Sequence, residues 1–413
     1  MTVTLTTDQT NARQQLRAFY TNRDKMITLN GSAGSGKSTL LAEILAETDK
    51  YQKTLELLDS NYLVRDIYLT ATTNKAVNVL QLKVGKLGYT VTTLHSLFSL
   101  RANNDFSIES VQQKNYIKPL LNESIIIIDE ASMISTKLFN AIKELTKTTN
   151  AKIIFVGDSN QLFPVKESNV SPVFNENTIK LSEVVRQKSV LLKAVTAIKE
   201  YVETDVFPHI DIDGINCLHL NQEDFNKAVI ADMSSNNWIN TDSRVLAYKN
   251  EEVTKYNNMV KEYITGTSQI GIGETVTSNT YLRIASVSYP AGTSVFVLEK
   301  LQHNCEGVKG HYYNLATGGR DITVWMPDDL AGFKTIKAIL KNSTHTLHSY
   351  LADLRPDYAS TIHKAQGSTF KRVYIDLNSI KNISRYDYPL FKRLLYVAAS
   401  RASEQIIFTG DLI

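Results

Sequence analysis

The sequence predicts an α/β protein of two tandem domains, with a small antiparallel β-unit set into the second. Three observations carry this prediction. Two continuous apolar runs, 124–128 and 151–156, end in Asp129-Glu130 and Gly157-Asp158; short runs rich in β-branched residues suit strands covered on both faces. Helical patterns fall between such runs along most of the chain, the alternation of a parallel-sheet protein. From 274 to 327 the rhythm changes to short alternating strands punctuated by Gly and Asn, as in a small antiparallel barrel or sheet.

In chain order, strands are expected at 26–29, 66–70, 124–128 and 151–156, with helices at 75–86 and 136–147. A second set opens with a strand at 179–184 and a helix near 189–202. It continues with a strand at 244–248, a helix at 251–263, a strand at 372–377, a helix at 388–399 and a last strand at 405–409. The inserted β-unit contains 281–285, 294–298 and 321–325, and a helix over about 328–354 leads back. Residues 98–120 form a shorter insertion, with Asn103-Asn104-Asp105 as its turn. No internal repeat or low-complexity tract is visible.

The 413 residues suffice for two or three domains, and 43% hydrophobic with 21% charged residues is an ordinary globular composition. A net charge of +3 does not announce a nucleic-acid binder, although a local groove can still be basic. Two cysteines, Cys217 and Cys305, exclude a cysteine-rich metal site and fit a reducing compartment. No apolar run reaches membrane-spanning length and no signal-peptide core is seen. A cytoplasmic protein without a membrane role is expected.

Residues Gly31-Ser32-Ala33-Gly34-Ser35-Gly36-Lys37-Ser38-Thr39 follow the first strand and open a helix, with the spacing G-x-x-x-x-G-K-S. This is a phosphate-binding P-loop: backbone N–H groups cradle phosphate oxygens at a helix N-terminus. Lys37 can reach the β- and γ-phosphates of a nucleoside triphosphate, and the Ser38 hydroxyl can meet Mg²⁺. Asp129, at a strand end, is the second candidate for holding Mg²⁺. Glu130 is the candidate general base for the attacking water, against the blander alternative of a solvated acidic pair. Gln161 offers an amide to the γ-phosphate or the water, and Gln9 can donate to and accept from one adenine edge.

The order of motifs resembles that of the superfamily 1B helicases, Dda-type phage enzymes in particular, with the RecD-type enzymes as wider relatives. Besides the P-loop, the likeness rests on Ala71-Thr72-Thr73-Asn74-Lys75-Ala76, Thr93-Leu94-His95-Ser96, Asp129-Glu130-Ala131-Ser132-Met133 and Gly157-Asp158-Ser159-Asn160-Gln161. It continues through Leu181-Ser182-Glu183-Val184-Val185-Arg186, Ala247-Tyr248-Lys249-Asn250, Ser360-Thr361-Ile362-His363-Lys364-Ala365-Gln366-Gly367-Ser368-Thr369 and Leu395-Tyr396-Val397-Ala398-Ala399-Ser400-Arg401. The resemblance implies two RecA-like domains, 1–97 with 121–176 and 177–274 with 351–413, that share ATP. It also implies a strand-separating pin at 98–120 and a small β-barrel accessory domain at 275–350. Arg186 and Arg401 match arginine fingers, whose guanidinium groups neutralise charge on the transferred phosphoryl group. Gln366 and Gly367 match nucleotide-sensing positions. Thr73, Asn74, Thr93, His95, Ser360, Thr361 and His363 match the track for single-stranded DNA. Helix capping is the alternative for each hydroxyl among them.

Thr72 departs from the proline frequent in relatives. Phe98 and Phe106 in the insertion, and Phe163 after Gln161, can stack on bases or pack internally. Tyr312, Tyr313 and Trp325 are aromatic candidates better suited to a core, and His345 and His348 read as surface residues. The implied activity is ATP-dependent translocation on single-stranded DNA, 5′ to 3′, with unwinding of forked duplex by a monomer. It fits a viral replication or recombination accessory enzyme in the host cytoplasm, working with a single-strand-binding protein or other replication proteins. A translocase that displaces bound proteins without unwinding is the alternative. A P-loop kinase is a weaker one, and a pure DNA-binding regulator would leave Glu130 and the two arginines without a purpose.

Overall fold

The structure, a computed structural model, describes residues 5–98, 121–183, 190–206, 209–235, 237–280, 282–284, 287–289, 292–317, 320–341 and 350–411. By contacts the chain divides into two units. The first holds Met1–Leu218, Ala365–Thr369 and Ile380–Ile406, and the second holds the remainder.

The first unit is built on a six-stranded sheet of order β3-β2-β4-β5-β1-β6. Its strands are β1 (Met26–Gly31), β2 (Ile67–Ala71), β3 (Val91–Thr93), β4 (Ile125–Asp129), β5 (Lys152–Gly157) and β6 (Thr178–Leu181). All neighbours are parallel, so every strand delivers its C-terminal end to the same edge. Strand β4 shows why the isoleucine run was legible. Ile125 and Ile127 enter one core, and Ile126 and Ile128 enter the core on the opposite face. The two-residue period of a strand demands apolar residues at every position when both faces are covered.

Helices α1 (Thr7–Phe19), α2 (Lys37–Leu58) and α3 (Asn74–Val84) cover one face, and α4 (Leu94–Leu97) and α5 (Thr136–Thr149) the other. Their starts follow from capping. Thr6 and Gln9 form a reciprocal capping box at α1, and Thr73, Thr93 and Ser135 each accept a first-turn N–H at α3, α4 and α5. Helix α6 (Val190–Thr204) and α12 (Tyr388–Ala399) pack together in this unit. There the Tyr201 and Tyr388 hydroxyls are hydrogen-bonded at 2.5 Å, and Lys392 is paired with Asp205.

The second unit contains a parallel sheet in which β8 (Ser243–Ala247) lies between β16 (Ala359–Thr361) and β17 (Phe370–Asp376). Helices α7 (Gln222–Met233) and α8 (Asn250–Thr265) pack beside it, with Phe225 edge-on to Tyr256 and Tyr374. Arg244 is buried under Phe370 and paired with Asp357, so its charge is compensated where water cannot reach. The short helices α10 (Ile362–Ala365) and α11 (Leu377–Lys381) follow β16 and β17, and the unit boundary falls within β7 (Cys217–Leu220) and β18 (Ala402–Thr409).

Inserted here is a five-stranded antiparallel sheet of order β14-β13-β12-β9-β15. It comprises β9 (Thr275–Ser278), β12 (Ser294–Gln302), β13 (Gly310–Thr317), β14 (Arg320–Pro327) and β15 (Leu354–Arg355), with a separate pair of β10 (Leu282–Ile284) and β11 (Val287–Tyr289). The stretch just before β15 returns to the far edge. Trp325 N–H donates to the Tyr350 carbonyl at 2.7 Å and Ala352 N–H to the Trp325 carbonyl at 2.9 Å. These bonds draw the sheet into a ring. Trp325 is fully buried against Ile336 and Leu340 of α9 (Leu330–Lys341), and its indole N–H donates to the His303 carbonyl at 2.9 Å. Trp325→Ala is expected to destabilise the second unit by roughly 3–5 kcal/mol, measured by denaturant unfolding, with nucleotide binding at the P-loop retained.

Two sequence expectations are corrected. The strand near 179–184 opens no second set: β6 pairs in parallel with β1. A short apolar run does not encode its partner, which is chosen by long-range packing. Among the described residues, the helix expected over 328–354 is α9, and Leu354 is already paired with Ser278 in a strand. The apolar period of the helix and of the closing strand merge when read in one line. Trp325 and Tyr313 are core residues. The turn at 103–105, Phe106, His345 and His348 lie outside the described residues. No described helix is long and apolar enough to cross a membrane.

Candidate active site

The P-loop leaves β1 at Gly31 and turns into α2 at Lys37. Gly34 and Gly36 adopt φ values of 83° and 80°, the left-handed region that glycine enters without steric cost. Lys37 Nζ donates to the carbonyls of Gly31 at 2.5 Å and Ser32 at 3.0 Å, so the ammonium is folded over the loop it opens. The Ser32 and Ser35 hydroxyls are buried without a hydrogen-bond partner. Buried orphan donors are costly and suit a loop built around a polar ligand. Ser38 lies half-buried in the first turn of α2, and Thr39 beyond it is exposed.

Strand β4 ends at Asp129, whose Oδ1 accepts the Glu130 N–H at 2.9 Å. Glu130 has φ 53°, an uncommon conformation for a side chain larger than glycine and one often found at functional sites. Burial pushes the Glu130 carboxyl up to about 7, and the neighbouring Asp129 charge adds to this. Arg401 and Lys37 oppose the shift. Burial also raises Asp129. A carboxyl poised near neutrality is suited to accept a proton from water. An added Cβ at Gly367 would lie 3.5 Å from Glu130 Oε1, which sets Gly367 against the base.

After β5, Gln161 is buried, and its Oε1 accepts from Gln366 Nε2 at 2.8 Å. Gln366 Nε2 also lies 3.3 Å from Ser132 Oγ. Arg401, 5% exposed, follows α12; its guanidinium donates to the Val397 carbonyl at 3.1 Å and to Ser400 Oγ at 2.9 Å. Thus Lys37, Asp129, Glu130, Gln161, Gln366, Gly367 and Arg401 all belong to the first unit.

Other predicted residues fall elsewhere. Gln9 is buried behind the P-loop: its Nε2 donates to the Ser35 carbonyl at 3.0 Å and its Oε1 accepts the Thr6 N–H at 3.1 Å. Both amide ends are engaged, so Gln9 braces the loop in this structure. Thr73 and Thr93 cap α3 and α4, with Asn74 and His95 beside them, at the C-terminal ends of β2 and β3. In the second unit Thr361 accepts the Lys364 N–H at 3.3 Å, Ser360 precedes it in β16, and the exposed His363 packs against the Tyr248 ring at 5.9 Å. Each capping hydroxyl still has a proton to donate, so capping and phosphate contact are compatible. Phe98 packs against the core of the first unit. Phe163 carries the Arg393 guanidinium 4.4 Å above its ring. Arg186 lies outside the described residues.

Sequence reasoning placed Ser132, Asp158 and Tyr396 in its motifs without giving them a role, and missed Arg393. Arg393 and Tyr396 share one face of α12 by their three-residue spacing, a signal that existed but named no partner.

Residues 4–209 match the AAA domain family, and residues 357–409 match the UvrD-like helicase C-terminal domain. The ATP-dependent DNA helicase Dda of enterobacteria phage T4 is 23% identical over 98% of this chain and 99% of its own length. The chain belongs to the superfamily 1B helicases. A second relative of this helicase, the ATP-dependent DNA helicase Pif1 of Campylobacter jejuni, is 33% identical over 37% of the chain and 32% of its own length. The helicase fold is shared with the Bacteroides Pif1 helicase crystallised with ADP-AlF3 and single-stranded DNA. That similarity has a TM-score of 0.54 at 17% identity and covers 100% of this chain and 94% of that one.

Proposed function

We propose that this ATP-dependent DNA helicase translocates 5′ to 3′ on single-stranded DNA and separates duplex at a fork. One observation carries the catalytic part: Lys37 near one end of the chain and Arg401 near the other both act on the Glu130 carboxyl, beside a P-loop with two orphan hydroxyls. This arrangement supports in-line attack of water on a γ-phosphoryl group. Glu130 takes the water proton, Gln161 orients the water, and Lys37 and Arg401 neutralise charge on the phosphoryl oxygens. Arg186 is assigned the second arginine-finger role by its motif.

Asp129 and Ser38 fit Mg²⁺: one oxygen donor at a strand end and one hydroxyl in the first turn of α2. Mg²⁺ keeps several waters and needs few protein ligands. When bound, it offsets negative charge on the phosphate oxygens.

The hydroxyls of Thr73, Thr93, Ser360 and Thr361, with Asn74, His95 and His363, are assigned to DNA phosphates and sugars, contacts that position a strand without reading its sequence. We assign the RecA-like domains to 1–97 with 121–176 and to 177–274 with 351–413, except that β6 goes with the first sheet, the pin to 98–120 and the barrel domain to 275–350. Alternating grip on DNA during ATP turnover gives directional stepping.

Single-stranded DNA is expected to stimulate ATP hydrolysis, and the protein to unwind a 5′-tailed duplex faster than a 3′-tailed one. Preference for the 3′ tail would remove the assigned direction while sparing the motor. Displacement of a bound protein without strand displacement would reassign it as a translocase. ATPase indifferent to DNA would remove the motor.

A further inference from the structure

We infer that Tyr396 and Arg393 are positioning residues that tie the P-loop to the loop carrying Gln161, and so set the γ-phosphate end of the site. The Tyr396 hydroxyl accepts the Ala33 N–H at 3.1 Å and donates to Asp158 Oδ2 at 2.7 Å. Tyr396 is fully buried and Asp158 is 1% exposed, so water does not compete for either bond. A single phenol therefore joins a P-loop amide to the carboxylate that opens the Gly157–Gln161 loop.

One turn earlier on α12, Arg393 Nη1 donates to the Ser159 carbonyl at 2.6 Å and the Gln161 carbonyl at 2.5 Å, while its guanidinium lies on Phe163. Gln161 is thus held at both ends, its backbone by Arg393 and its side-chain Oε1 by Gln366. The same helix runs into Arg401. Neither Tyr396 nor Arg393 needs to touch the nucleotide. Each acts through a group that the proposed reaction uses, so this inference rests on the ATPase reading.

A phenylalanine at 396 fills the same space and removes only the hydroxyl, which separates positioning from packing. In full-length Tyr396→Phe, kcat of DNA-stimulated ATP hydrolysis is expected to fall about tenfold or more, the effect of misplacing charge-assisted hydrogen bonds at a reacting centre. KM for ATP and the affinity for a fluorescent ADP analogue are expected to stay within about threefold, because Lys37 and the other loop amides remain. Hydrogen exchange at the Ala33 amide should quicken in the nucleotide-free protein. Arg393→Lys, which keeps the charge and a donor, should lose less kcat than Arg393→Met.

An unchanged kcat with unchanged exchange in Tyr396→Phe would overturn the inference. So would a loss shared equally by kcat, ADP affinity and thermal stability, the pattern of general destabilisation. Absence of ATPase in the unaltered protein would instead remove the functional reading, while the exchange measurement would still decide whether the phenol holds the loop.

Discussion

Lys37→Ala is expected to lower DNA-stimulated ATP hydrolysis by at least ~10²-fold, with unwinding lost and binding of single-stranded DNA still measurable. The side chain is the one cation that the P-loop itself supplies, and its Nζ already lies over the loop, bonded to the Gly31 and Ser32 carbonyls. Alanine removes the charge and leaves the glycine turn and the start of α2 intact. The residues assigned to DNA belong to other loops, so strand binding, read by fluorescence anisotropy, should persist. ATP turnover near the unaltered rate would end the assignment of this loop as the hydrolytic site.

Glu130→Gln should slow hydrolysis by roughly 10²–10⁴-fold, the usual contribution of a positioned general base. The substitution keeps size and hydrogen-bonding capacity but cannot take the water proton. It also removes a carboxylate whose charge would face a triphosphate, so nucleotide binding should be retained or tightened. Single-turnover hydrolysis set against equilibrium binding of a fluorescent ATP analogue separates the two effects. Hydrolysis at the original rate would transfer the role of base to another group.

Much of the fold was legible because its signals are local. The P-loop is a matter of glycine spacing and of a lysine at the start of a helix. Strand β4 announces its two covered faces by four consecutive isoleucines. Asp129 and Glu130 were legible as a strand-end pair. The left-handed backbone that sets Glu130 and the burial that raises it were not. The hydroxyls of Thr73, Thr93 and Thr361 show the limit from the other side. Their types permitted capping and phosphate contact alike, and only the folded structure reveals the N–H that each accepts.

Long-range partners were beyond reach. The apolar run around Ile179 has the composition of many strands, and nothing in it names β1 as its neighbour. The ring of the inserted sheet is closed by backbone groups of Trp325, Tyr350 and Ala352, and backbone groups are the same for every residue type. Gln366 meets Gln161, and Tyr396 meets both Ala33 and Asp158, across separations of 205 to 363 residues. By itself the sequence determined the phosphate-binding loop, its acidic partner pair and the alternating α/β plan, because spacing and periodicity are properties of neighbouring residues. Only the tertiary structure decided which side chains hold the catalytic loops together, because a hydrogen bond depends on where two distant segments are brought by packing.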